Sequence, residues 1–109
     1  MSTRKKRNDR NHLIYMLTCD ATQERYIGVT VMKPGGKWKT MRQRWSSHLY
    51  KAMRLEEDWG LPNAIREYGE ESFYMEILDI VRGKKDAFAA EAELINNMKT
   101  ELNTRKKRA

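Results

Sequence analysis

The sequence predicts a small α+β domain, in which a three-stranded, mainly antiparallel sheet is flanked by helices in the order β-β-α-α-β-α. Three observations lead to this class: strand-forming residues broken by one turn, two helical patterns after them, and an apolar strand before a last helix. The 109 residues are enough for one domain and one core. We place this domain at residues 12–103, between a basic flexible arm at 1–11 and a basic tail at 104–109.

A β-hairpin opens the domain. Residues 12–18 and 23–30 are rich in strand formers, and residues 19–22 form the turn between them. A turn centred between residues 20 and 21 would put Tyr15 directly opposite Tyr26, with the next glycine leaving open space beside Tyr26. Paired aromatic residues across a hairpin are usually packing, so a catalytic role needs further support.

Two helices follow a loop at residues 31–39. Thr40 is expected to cap the first helix, which runs to about Leu55. Its apolar stripe by helical spacing consists of Met41, Trp45, Leu49 and Ala52. Arg44, His48 and Lys51 form a row of cations beside this stripe, and the row either lines a cleft or is a solvated basic face. A shorter helix starts at Pro62 and stops at Gly69.

Residues 73–81 are apolar enough for a buried central strand, and a last helix follows at 85–99. The apolar stripe of that helix consists of Phe88, Ala92, Ile95, Met98 and Leu102. Glu91 projects into the middle of the stripe, whereas Glu93 points away from it. A carboxylate that faces a core is costly unless it is paired or bound to a metal. Glu91 is therefore either half of a structural salt bridge or a metal ligand.

The net charge of +7 is unevenly distributed. Residues 1–12 and 105–108 each carry +4, and the segment 33–54 has seven cations and no acid. Such segregated charge indicates a polyanionic partner, although basic tails can also simply aid solubility. The cations that we expect to contact this partner are Lys33, Lys37, Lys39, Arg42, Lys51, Arg4, Lys5, Lys6, Arg7, Arg105, Lys106, Lys107 and Arg108.

Other classes of protein are disfavoured. Cys19 is alone, so an intrachain disulfide and a thiolate zinc site are both excluded, and two histidines are too few for a typical zinc site. There is no apolar run of the roughly 18 residues that span a membrane. The basic N-terminus lacks the apolar segment of a secretory signal. We therefore expect an intracellular protein, cytoplasmic or associated with the nucleoid, rather than a membrane or secreted one.

These features converge on a resemblance to the GIY-YIG nuclease family. Leu13-Ile14-Tyr15 and, ten residues later, Tyr26-Ile27-Gly28 resemble the two halves of the name motif. The pair Arg44 and His48 is similar to the Arg-x-x-x-His helix of the family, and Glu91 and Asn103 match its glutamate and terminal asparagine. The resemblance covers about residues 12–103. It departs at Leu13, which replaces the first motif glycine, and at 31–39, which resembles an inserted basic loop.

The resemblance implies a DNA endonuclease with one Mg²⁺ or Mn²⁺ ion per active site, held by Glu91 as its only protein ligand. It implies that Tyr26 is the general base for the attacking water and that Tyr15 orients the water or Tyr26. Arg44 would bind the phosphate and His48 would relay a proton or bind phosphate. Asn103 would hold the site together.

The expected substrate is double-stranded DNA, cleaved by a mobile-element (homing-like) or restriction-type enzyme. The alternatives are a structure-specific repair nuclease and a catalytically silent nucleic-acid-binding module of the same fold. We recognise no DNA-specificity domain after Asn103. Loop 31–39, the arms or a protein partner would therefore supply any selectivity.

Overall fold

The computed structural model describes residues 10–103. Its elements are β1 (Asn11–Cys19), β2 (Arg25–Val31), α1 (Lys37–Met53), α2 (Gly60–Tyr68), β3 (Phe73–Arg82) and α3 (Lys84–Asn97). Short 3₁₀ turns cover Glu70–Ser72 and Glu101–Asn103. The three strands form one antiparallel sheet in the order β2-β1-β3. The predicted α+β class and the order of the elements are confirmed.

Most of the predicted basic arms lies outside the described residues, and so do their expected DNA contacts, residues 4–7 and 105–108. Asn11 and Arg10 belong to the fold. Asn11 begins β1, and the carbonyl oxygen of Arg10 accepts hydrogen bonds from the Gly83 amide at 3.0 Å and from the His12 ring at 2.8 Å. No helix within residues 10–103 is long and apolar enough to cross a membrane.

The predicted register of the hairpin is wrong by two residues. Tyr15 lies opposite Gly28 rather than Tyr26, and Tyr26 lies opposite Leu17. The reason is the turn: Cys19 pairs with Glu24 through an N–H···O bond of 2.9 Å, so the loop between them has four residues and ends with Gln23 at a φ of 62°. A shift of two residues keeps each side chain on the same face of the sheet, so the tyrosines remain neighbours.

The predicted place of the third strand is also wrong. β3 is an edge strand with alternating exposure, and the central strand is β1, in which residues 12–19 are all buried. Odd-numbered residues of β1 face α1 and α2, and even-numbered ones face α3. A strand with a helical layer on each face is apolar throughout, and pairing on both sides completes its burial. The apolar character of residues 73–81 does not reveal which strand is central.

Both middle helices begin earlier than predicted. Thr40 is a buried residue in the first turn of α1, which starts at Lys37 after Gly36. The Thr40 hydroxyl donates to the Gly36 carbonyl at 2.9 Å and accepts from the Lys33 amide at 3.0 Å. Thr40 thus ties the basic loop to the helix instead of capping it. α2 starts two residues before Pro62 and ends at Tyr68 before Gly69, whose φ is 86°.

The predicted apolar stripe of α3 is wrong in part. Phe88 is 46% exposed and Ala92 is exposed, whereas Ile95 and Met98 pack on the sheet as expected. The inward face consists of Ala87, Ala90, Leu94, Ile95 and Met98. Leu102 follows the helix and packs in the core on the other face of the sheet. Alanines carry little hydrophobic signal, so the larger Phe88 set the predicted phase.

Candidate active site

Tyr15 is the centre of a buried polar cluster between the sheet and α1. Its side chain is fully buried, and its hydroxyl oxygen lies 2.7 Å from His48 Nε2 in a hydrogen bond. Arg44 Nε donates a second bond to the same oxygen at 3.1 Å. Arg44 and His48 reach one atom because residues four apart lie on the same side of a helix. The row of cations predicted on this helix therefore lines a cleft at Arg44, and His48 is buried behind it.

Gly28 makes room for the phenol of Tyr15. A Cβ atom at Gly28 would lie 2.5 Å from Tyr15 Cζ and 2.8 Å from Tyr26 Cε1, distances that real side chains do not tolerate. The expected open space beside Tyr26 is therefore filled by Tyr15. The glycine is required here for close approach of two rings, since its φ needs no special conformation.

Tyr26 forms the outer wall of the cluster and is 7% exposed. Its ring centroid lies 5.3 Å from that of His48 in an edge-to-face arrangement, and 6.2 Å from that of Tyr15. Trp59, immediately before α2, packs against Tyr26 at 6.0 Å. Sequence reasoning missed Trp59, because an aromatic residue beside a helix start carries no signal that it will reach a hairpin.

Burial controls the protonation of the cluster. It raises the pKa of Tyr15, an effect that the neighbouring Tyr26 oxygen strengthens and the Arg44 charge weakens. Burial, followed by the charges of Arg44 and Lys51, lowers the pKa of His48 to about 3. Burial opposes the charge of Arg44, but the oxygens of Tyr15 and Tyr26 more than offset it and raise its pKa. At neutral pH the cluster is a neutral phenol and imidazole beside a fixed cation.

Glu91 is a half-buried carboxylate on α3, and Glu93 is exposed, as their helical phases predicted. Burial raises the pKa of Glu91, and the charge of Arg44 partly counteracts this. α1 and α3 pack on opposite faces of the sheet, and the charge of Arg44 on α1 nevertheless acts on Glu91 on α3.

A metal at this site would have few protein ligands. Within residues 10–103 there is no group of three or more His, Cys, Asp or Glu side chains that could hold an ion. A half-buried carboxylate of raised pKa nevertheless suits a hard divalent cation, which accepts one carboxylate and keeps several waters. Glu91, on which the charge of Arg44 acts, is the residue with that chemistry.

Asn103 holds the outer edge of β2. Its Oδ1 accepts the Ile27 amide at 2.9 Å, and its Nδ2 donates to the Ile27 carbonyl at 2.9 Å. The side chain thus imitates a paired strand between Tyr26 and Gly28. Glu101 Oε1 adds a longer contact of 3.4 Å to the Arg25 amide. We call this contact between the Glu101–Asn103 turn and β2 the edge clamp.

Two adjoining clefts run along β2 beside this cluster, and both are lined by Lys33 and Arg44. The other predicted DNA contacts on the described residues, Lys37, Lys39 and Arg42, are exposed on α1, and Lys51 is partly buried. Three residues of the second cleft were not predicted: Arg10, Lys84 and Phe88. Lys84 lies in a mostly acidic part of the sequence, and the helical spacing of Phe88 predicts a core residue.

A comparison with protein families matches residues 11–106 to the GIY-YIG catalytic domain. The chain belongs to the GIY-YIG family. It is therefore a nuclease, and GIY-YIG nucleases generally use a divalent metal ion. Searches of curated proteins and of solved structures found no match. Leu13, the departure from the name motif in this GIY-YIG nuclease, is fully buried in the core beside α1 and α2.

Proposed function

We propose that this GIY-YIG nuclease is a metal-dependent DNA endonuclease that hydrolyses phosphodiester bonds. The observation that carries the proposal is the cluster in which Arg44 and His48 meet at the Tyr15 hydroxyl, with Tyr26 against both rings. Phosphodiester hydrolysis needs an activated water and fixed positive charge at the phosphate. Both can be supplied by this one cluster.

Glu91 would hold a single Mg²⁺ or Mn²⁺ ion. The ion would supply charge stabilisation at the scissile phosphate and at the leaving oxygen. Burial disfavours the Glu91 anion, and a bound cation would compensate for it. This would account for a half-buried carboxylate on which the charge of Arg44 acts.

Tyr26 is the better general base of the two tyrosines. Burial raises the pKa of Tyr15 and favours its protonated form, whereas Tyr26 forms the outer wall of the cluster and retains 7% of its surface exposed. Arg44 has a permanent charge and several N–H donors, so it can bind a phosphate oxygen while Nε remains on Tyr15.

Tyr15 and His48 form a proton path behind Tyr26. Arg44 can only donate, so it takes one lone pair of the Tyr15 oxygen and leaves the phenolic proton free to point at His48 Nε2. His48 is uncharged and can accept that proton. We assign Tyr15 to orienting Tyr26 and the water, and Asn103 to holding β2 in place.

Duplex DNA is the substrate that we propose, inside the cell, cleaved as by a mobile-element or restriction-type enzyme. Lys33 in the clefts and the exposed cations of α1 suit a phosphate backbone. A structure-specific repair nuclease is the second candidate. Any protein partner would help to select the DNA target rather than supply catalytic groups, since the proposed catalytic cluster lies within one chain.

The decisive experiment uses supercoiled plasmid with and without Mg²⁺, scored for nicked and linear DNA. Glu91→Gln should abolish cleavage and leave DNA affinity within a few-fold, because it removes a metal ligand and no phosphate contact. Glu93→Gln is the matched control, two residues away on the exposed side of α3, and should cleave like the wild type. An active Glu91→Gln enzyme, or full activity in excess chelator, would contradict the proposed metal site.

A further inference from the structure

The two clefts beside β2 form one continuous groove, which crosses from α1 to the start of α3. Their volumes are about 560 and 450 Å³, and they share the residues Thr30, Val31, Lys33 and Arg44. The charged side chains that line the groove are Arg10, Lys33, Arg44 and Lys84. No acidic side chain of the described residues lines either cleft. The groove is therefore suited to a polyanion along its whole length.

Phe88 is an unexpected component of this groove. It is 46% exposed, and Lys84 Nζ lies 5.8 Å from the centroid of its ring. Lys84, Phe88 and Glu91 follow one another at helical spacing, so they share a side of α3. Phe88 precedes Glu91 by three residues, which is about 4.5 Å along the helix axis. An aromatic face thus lies one helical turn from the residue that would hold the metal.

An exposed phenylalanine gains little from a regular duplex. Duplex DNA presents phosphates and sugars to such a groove, and its base faces are stacked inside. An unpaired nucleotide offers a free base face, and aromatic side chains in cationic grooves bind such bases by stacking. The neighbouring lysine adds a charge for the phosphate of the same nucleotide.

We propose that Phe88 and Lys84 form a subsite for an unpaired nucleobase next to the scissile phosphate. The preferred substrate would then be duplex DNA that carries a single-stranded segment at the cleavage position, as in a flap or a gap. This inference rests on the proposed function and names the substrate class of the same site. Arg10 and Lys33 would hold the flanking phosphates.

Binding to matched oligonucleotides tests the subsite. Fluorescence anisotropy in EDTA compares one duplex with the same duplex carrying a single-stranded flap, so that no cleavage occurs. The wild type should bind the flap substrate about tenfold more tightly, given the strength of base stacking on aromatic side chains. Phe88→Leu keeps an apolar side chain of similar size but loses the flat ring, and it should remove most of this preference. Because Phe88 is half-exposed, the change should leave the unfolding midpoint unaltered.

Tyr74→Leu is the matched control, because Tyr74 is another exposed aromatic residue, 43% accessible, on β3 outside the groove. It should keep the wild-type preference. Equal affinity of the wild type for both substrates, or an unchanged preference in Phe88→Leu, would overturn the subsite. Nicking of plasmid by the same preparations in Mg²⁺ separates the two proposals. Nicking without a flap preference refutes only the subsite, and absence of both nicking and DNA binding refutes the proposed function as well.

Discussion

At the scale of single residues, the two tyrosines of the cluster have different environments. Tyr15 is sealed from solvent and hydrogen-bonded to Arg44 and His48, whereas Tyr26 retains 7% of its surface exposed. The same side chain can therefore serve two purposes. One phenol is held by hydrogen bonds to Arg44 and His48, and the other is the one that we propose as the general base.

Tyr26→Phe should reduce the single-turnover cleavage rate by about 10²–10⁴-fold, the usual cost of losing a general base. Tyr15→Phe should be milder, because the base remains and only its orientation suffers. Tyr50→Phe, on the exposed face of α1, controls for loss of a phenol as such and should cleave normally. Wild-type rates in Tyr26→Phe would remove Tyr26 from the mechanism and leave the tyrosine pair as packing.

The identities of the clustered residues could be predicted from the sequence, but their exact neighbours could not. Helical spacing alone puts Arg44 and His48 together, and strand alternation puts Tyr15 and Tyr26 on one face. The sequence patterns did not predict Trp59 and Phe88 as site residues, for opposite reasons. Trp59 joins the site through tertiary contact alone. Phe88 has the helical spacing of a core residue, and a sequence pattern cannot reveal which neighbours cover a ring.

At the scale of elements, the class and order of strands and helices followed from periodicity, and their relations did not. Gln23 adopts a left-handed conformation that shifts the hairpin pairing, and this conformation is not encoded by the usual Gly or Asn. The edge position of β3 depends on how three strands assemble. Local patterns fix what an element is, and packing decides where it lies.

The contact of α1 with the sheet should depend on pH through His48. This residue is buried, and its pKa is about 3 in the folded protein, against an ordinary value of 6.5. Between these values the unfolded chain binds a proton that the folded one does not. The free energy of unfolding is therefore highest above about pH 6.5. It decreases as the pH falls, by about 2 kcal/mol between pH 7 and 5.

Urea unfolding of the metal-free protein at both pH values measures this loss. His48→Gln should remove most of the pH dependence, whereas the neighbouring Ser47→Ala, which changes no titrating group, should retain it. The same pH dependence in His48→Gln and the wild type would show that burial of His48 against the sheet does not keep its imidazole unprotonated.

At the scale of the whole molecule, we expect different residues to provide the affinity for DNA and the chemistry of cleavage. The described body holds the tyrosines, Arg44 and Glu91, whereas residues 4–7 and 105–108 provide eight cations outside it. Each cation that meets a phosphate releases about one counterion, so the slope of log affinity against log salt counts such contacts. The two functions can therefore be measured separately.

Removing residues 1–9 and 105–109 should flatten that slope by several units and weaken binding to all DNA sequences alike. Turnover at saturating DNA should survive, since Arg10 and Asn103 keep their contacts with the body. A full-length variant with the eight cations changed to Gln separates charge from chain length and should behave like the trimmed protein. An unchanged slope would confine DNA binding to the 33–54 segment and the groove, and loss of saturated turnover would place an arm in the active site.

The edge clamp should also make the hydrogen exchange of one backbone amide a measure of the motion of β2. Amide protons on the outer side of an edge strand usually exchange quickly with solvent, because nothing covers them. The Ile27 amide is on that side, yet the Asn103 side chain holds it. Its exchange with deuterium should therefore wait until the clamp opens, whereas Val29, two residues further along the same side, should exchange sooner. The exchange lifetime of the Ile27 amide proton would then measure how long the clamp holds the strand that carries Tyr26.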